Sequence, residues 1–414
     1  MAKSCLVREI LHVLAIVALF HQLLLATNAV PEAEWSQVDV NGHDCLQNTL
    51  HGPACLQEIA LERAQTSATG ELESAEYNAD TQEINMVDMP VAIATSLAAS
   101  PLVFQTSFSV LTPCLTTPII RPPRGHEPPA RLVVAVPTGQ SGTFPVILFK
   151  HGFALANCFY TQLFQYLVSS GFIVVAPQAV TLNIDTTAEI KETAEVANWI
   201  LKSLAVMLSA AVPNASIVPD LSKLVMAGHS RGGKVAFALA LRKASVETPS
   251  FSALVALDPV DGTGSDAISN PPIVAKGCDH AFNHVPSPVL ILGTGYGTRN
   301  GIIPGTPPCA PTCCNHAAYF NCSSSPMMYH FLASEFGHMD FLDDAQSWTS
   351  GMCMWGSSKA PLRDFTGRLV VAFLEFVLQG KEKGMADMVD NWETLSIKLE
   401  EPQIFSDAAQ SDSF

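Results

Sequence analysis

"LVMAGHSRGGKVAFALALRK", residues 224–243, joins an apolar run to an alanine-rich helical pattern through a glycine-rich turn. A Leu/Val/Met run without polar alternation suits a strand covered on both faces. Gly228, Ser230 and Gly232 spell G-x-S-x-G at the junction. A strand-to-helix turn this sharp leaves no room for side chains at the flanking positions, and it lifts the serine above the carboxyl edge of the sheet. The same spacing also serves a plain glycine-rich turn, so the rest of the chain has to decide.

Outward from this stretch, short apolar runs alternate with longer helical patterns. The runs are "LVVAVP" from Leu132, "FPVILFKHG" from Phe144, "FIVVAP" from Phe172, "ALVALDP" from Ala253, "PVLILGTG" from Pro288 and "YHFLASEFGH" from Tyr329. Helical patterns start at Asp185, Gly233 and Leu362, the last closed by Gly380. This alternation predicts an α/β fold, a mostly parallel sheet with helices on both faces, in a single catalytic domain over residues 91–385. Residues 30–90 read as a polar extension and residues 386–414 as an acidic, flexible tail.

The first 29 residues carry Lys3 and Arg8, an apolar stretch and small residues up to Ala29, the layout of a secretory signal peptide. Entry to the secretory pathway is therefore expected, with the plastid as the alternative. If Cys5 leaves with that leader, ten cysteines remain, and an oxidising compartment would allow disulfides. A net charge of −16 argues against nucleic-acid partners, which call for clustered Lys and Arg. With 48% hydrophobic and 14% charged residues, the 414-residue chain can bury a sizeable core.

A serine hydroxyl becomes a nucleophile only when a base takes its proton, and in this type of fold the acid and then the histidine follow the serine in the chain. Asp258 directly follows the run "ALVAL", and Asp261 lies three residues on; both remain candidates for the acid, with Asp258 nearer the strand end. His338, in "EFGHMDFLDD", is the expected base, with His316 as its rival. The loop "KHGF", Lys150–Phe153, follows an early strand where an oxyanion donor belongs, which points to the backbone N–H groups of Phe153 and Arg231. "CAPTCCNH", from Cys309, lacks paired C-x-x-C spacing, so no metal is expected and a disulfide-bearing or free-thiol loop is favoured. "GTGYGTRNG", from Gly293, fits no phosphate-loop spacing, and no cofactor is expected.

The blocks "PVILFKHGF", "AGHSRGGKVAFALAL", "FSALVALDPVDGT", "NHAAYF", "EFGHMDFLDD" and "FTGRLVVAFLEF" resemble plant chlorophyllases, a branch of the α/β-hydrolases. The resemblance covers residues 90–380 and implies an esterase that splits the phytyl ester of chlorophyll, or a related esterified tetrapyrrole, into chlorophyllide and phytol. By matching motif it implies Ser230 as nucleophile, Asp258 as acid and His338 as base. It leaves peripheral membrane association open. Phe153, Phe159 and Tyr160 either line an apolar substrate site or pack their own loop. A lipase or carboxylesterase acting on other lipids, and an inactive scaffold binding a hydrophobic ligand, are the competing readings.

Overall fold

Apolar runs rich in Val, Ile and Leu form one nine-stranded sheet. The computed structural model describes residues 102–105, 120–137, 139–179, 183–213, 216–263, 267–346 and 352–407; the leader 1–29 and the extension 30–90 lie outside the described residues. In chain order the strands are β1 (Leu102–Gln105), β2 (Arg131–Val136), β3 (Gly142–Lys150), β4 (Ile173–Gln178) and β5 (Ile217–His229). They continue with β6 (Ala253–Leu257), β7 (Val289–Thr294), β8 (Met328–Ala333) and β9 (Gln403–Phe405). Across the sheet the order is β1-β2-β4-β3-β5-β6-β7-β8-β9. The strands from β4 to β8 in that order pair in parallel, whereas β1, β2 and β9 pair antiparallel with their neighbours.

The helices are α1 (Thr161–Ser169), α2 (Thr187–Ala211), α3 (Arg231–Ala240), α4 (His316–Asn321), α5 (Ala360–Gln379) and α6 (Glu382–Asp390). Successive strand side chains point to opposite faces, so each strand feeds two cores. On one face Val134, Leu148, Met226 and Ile291 pack with Ile190, Phe237 and Tyr319 of α2, α3 and α4. On the other, Val133, Phe149, Val225 and Leu292 pack with Phe164 of α1 and Phe365 and Phe373 of α5. Gly380 ends α5 in the left-handed conformation, with φ 70°, which a side chain would resist. Strand order, parallel centre and helices on both faces make this the α/β-hydrolase fold, in a single domain. Cys278–Cys322, Cys309–Cys353 and Cys313–Cys314 are disulfide pairs, so the "CAPTCC" loop is a disulfide-bearing one.

The segment read from sequence as a flexible tail after residue 385 is folded through most of its length. Met385 of α6 is buried, Ile397 and Leu399 are buried beneath the same core, and β9 adds a strand to the edge beside β8. Composition suggested fraying because acids and polar residues dominate the segment, but Met385, Met388, Val389 and Trp392 recur at helical spacing and Ile397 and Leu399 alternate, and these are the residues that meet the core. Deleting residues 391–414 should lower the unfolding free energy by about 3 kcal/mol or more, the worth of burying two aliphatic side chains. A urea titration that returned the full-length midpoint would show the segment to be dispensable.

Candidate active site

The parallel ladder places the site. The Ser230 N–H donates to the Leu257 carbonyl at the end of β6 (2.9 Å), and the Asp258 N–H donates to Leu292 of β7 (2.6 Å). Residues 230 and 258 are thus held one step beyond the carboxyl ends of adjacent strands. Both have positive φ, 58° and 41°, which turns each side chain out of the strand direction. The turn at Ser230 depends on its glycines. A Cβ on Gly228 would strike the backbone of Gly232, and one on Gly232 would strike the Lys150 carbonyl of β3.

His338 arrives on the loop after β8. Its Nε2 accepts from the Ser230 hydroxyl at 2.8 Å and its Nδ1–H donates to Asp258 Oδ2 at 2.7 Å. Thr294, the last residue of β7, donates its hydroxyl to the same carboxylate oxygen at 2.6 Å. Burial pushes the Asp258 carboxyl up, but the hydrogen bond and charge of His338 outweigh it and hold the group below the ordinary carboxylate value. The His338 loop is pinned by Asp340, whose Oδ2 accepts the N–H groups of Gly337 and Gly356, each at 2.7 Å.

Asp261 is turned away from this line. It pairs with Lys234 Nζ at 2.7 Å and accepts the N–H groups of Ile273 and Val274 at 2.5 and 2.8 Å. Both Asp261 and Lys234 are fully buried. His316 is also elsewhere: its Nδ1 meets His330 Nε2 at 2.8 Å, and His330 Nδ1 meets Gln403 of β9 at 2.7 Å.

The "KHGF" loop abuts the serine, since a Cβ on Gly152 would stand 3.2 Å from the Ser230 Cβ. Among the described residues, the N–H groups of Phe153 and Arg231 donate to no other group. Arg231 is the first residue of α3, where the helix dipole favours negative charge. Of the three aromatic residues read as wall or packing, Phe159 and Tyr160 are buried in the core, and Phe153 is half-buried.

Sequence reading missed a buried charge cluster beneath the loop. Glu189 of α2 meets Lys150 Nζ at 2.7 Å and Arg231 Nε at 2.6 Å. Arg231 also donates to the Asn183 carbonyl at 2.5 Å and stands 5.3 Å over the Phe153 ring. Burial would raise the Glu189 carboxyl, but Lys150 and Arg231 bring it down to about 2. His151 accepts from Lys150 Nζ (3.0 Å) and from the Ala179 N–H (3.1 Å) through Nε2, and burial and Lys150 push it down to about 3. The signal was available in Glu189, which falls in phase with the buried stripe Thr193, Val196, Ala197, Ile200 and Leu204.

Fold and edge geometry make the chain an α/β-hydrolase, and comparison with known proteins narrows that class. The family model for chlorophyllase matches residues 112–406. Chlorophyllase-2 of Arabidopsis thaliana is 38% identical over 301 residues, covering 70% of this chain and 91% of that protein. Chlorophyllase-1 of the same plant is 39% identical over 266 residues, covering 62% and 78%. "Chlorophyllase-1, chloroplastic" of Citrus sinensis is 35% identical over 288 residues, covering 67% and 82%. The chain belongs to the chlorophyllase family, and with it to the carboxylic ester hydrolases.

Two measurements test the buried charges. Asp261→Asn should cost about 3–5 kcal/mol in urea unfolding, because it leaves Lys234 buried without its counter-charge, while the folded fraction keeps its esterase activity. Glu189 has a folded value of about 2 against an ordinary 4.5, so its stabilisation is complete above pH 4.5 and is lost as the pH falls toward 2. Unfolding midpoints between those limits should therefore fall less steeply in Glu189→Gln than in the wild type; parallel slopes would contradict this.

Proposed function

We propose that the chain hydrolyses the phytyl ester of chlorophyll, or of a related tetrapyrrole, through an acyl-enzyme on Ser230. The observation that carries the chemistry is the line from the Ser230 hydroxyl through His338 to Asp258, at 2.8 and 2.7 Å. The names of the relatives support the choice of substrate.

In this reading His338 Nε2 takes the hydroxyl proton as Ser230 Oγ bonds to the ester carbonyl carbon. Asp258 holds the imidazole with its proton on Nδ1 and stabilises the imidazolium that forms. The N–H groups of Phe153 and Arg231 receive the negative oxygen of the tetrahedral intermediate, each contributing about 3 kcal/mol. Collapse breaks the bond to the phytyl oxygen, which takes the proton from His338 and leaves as phytol. Water then loses a proton to His338 and attacks the acyl-serine, releasing chlorophyllide and restoring Ser230. This chemistry requires neither metal nor cofactor. A phytyl ester is lipid-soluble, so peripheral contact with a lipid surface belongs to the proposal. The leader supports secretory entry, whereas the word "chloroplastic" in the Citrus names supports the plastid.

Purified protein should release phytol from chlorophyll, with kcat reduced about a millionfold in Ser230→Ala and His338→Ala and about ten-thousandfold in Asp258→Asn. A fluorophosphonate should label Ser230 in the folded wild type. Hydrolysis confined to short acyl esters would redirect the substrate assignment to other lipids, and full activity in Ser230→Ala would remove the acyl-enzyme.

A further inference from the structure

Two buried residues beside the site have no part in the chemistry above. His229 precedes Ser230, and Tyr160 closes the turn that leads into α1. Their polar atoms form one continuous chain. The Gly152 N–H donates to Tyr160 Oη at 3.2 Å, Tyr160 Oη lies 2.8 Å from His229 Nδ1, and His229 Nε2 lies 2.8 Å from the carbonyl oxygen of His338.

The direction of this chain is dictated by its ends. A carbonyl oxygen only accepts, so His229 Nε2 carries the proton; burial, helped by nearby His338, pushes His229 down to about 3, so its ring is neutral and Nδ1 must accept. The Tyr160 hydroxyl therefore donates to Nδ1, and its lone pair receives the Gly152 N–H. With that amide engaged, the next one in the loop, that of Phe153, is left for the oxyanion.

We propose that Tyr160 and His229 are positioning residues that set the spacing between the oxyanion loop and the His338 imidazole; this rests on the roles given above to Ser230, His338 and Phe153. Aromatic packing already immobilises both rings. Tyr160 lies 4.9 Å from Phe149, and His229 lies 4.8 Å from His338 and 5.2 Å from Phe341, centroid to centroid. Packing fixes where the rings sit, but only the directed hydrogen bonds fix the His229 tautomer. The other tautomer would aim a lone pair at the His338 carbonyl and leave Gly152 and Tyr160 with mismatched partners.

Tyr160→Phe removes one oxygen and keeps the packing, so full-length variants can separate the two contributions. Expected for Tyr160→Phe are a kcat on a short acyl ester reduced about ten- to a hundredfold, a KM changed less than about threefold, and slower but complete fluorophosphonate labelling of Ser230. His229→Gln, whose amide can still donate to the His338 carbonyl, should keep a higher kcat than His229→Leu. The double variant Tyr160→Phe/His229→Gln should lose no more than its more damaged single parent, because both break one chain. Wild-type kcat and labelling rate in Tyr160→Phe would overturn the proposal, as would losses that multiply in the double variant. Should Tyr160→Phe not fold, equal kcat in His229→Gln and His229→Leu would overturn it. If wild-type Ser230 does not label at all, the acyl-enzyme reading fails and the positioning role falls with it.

Discussion

Glu189 is the charge on which the site is assembled. One carboxylate holds Lys150 at the end of β3 and Arg231 at the start of α3, and it projects from a helix that packs on the sheet. Lys150 is fully buried, and Arg231 nearly so, and buried cations are tolerated only with a partner this close. The pairing also explains why arginine follows the serine. Its backbone amide opens α3 beside Ser230, while its guanidinium turns back to Glu189 and lies over Phe153. A single residue thereby contributes to the turn from both its main chain and its side chain.

Backbone pairing does for Ser230 and Asp258 what charge does for the loop. Because their amides extend the ladder of β5, β6 and β7, their separation follows from the strand spacing and not from loop conformation. His338 comes from beyond β7, on a loop whose amides Asp340 gathers. A rigid pair and a braced loop meet at the carboxyl edge, which leaves the surrounding loops free to vary around a fixed centre.

The sequence revealed the parts that repeat a strong local pattern. The central strands carry apolar runs with no polar break, save the polar first half of β5 and His330 in β8, and G-x-S-x-G has a steric cause that can be stated without coordinates. Asp258 and Asp261 could not be separated that way, because three residues in a loop carry no period. What distinguishes them is Lys234, which with Arg231 is one of two charges in an otherwise apolar helix and lies against Asp261. Tyr160 stayed open between wall and packing because aromatic side chains suit either a pocket or a core, and its burial in the core and its bond to His229 place it in the packing. Strand β9 escaped notice because an edge strand buries little and so needs little apolar pattern.

Among the described residues, the non-glycine positions with positive φ are Ala154, Ser230, Arg242 and Asp258, and three of the four border the site. Glycine, which has no Cβ, occupies positive φ at least cost. At Ser230 and Asp258 a glycine would ease the backbone and remove the hydroxyl or the carboxylate together. On the roles proposed above for Ser230 and Asp258, selection for a more stable chain and selection for a reactive one oppose each other at these two positions, and a library ranked by thermal resistance alone would drift toward a well-folded protein with an empty centre.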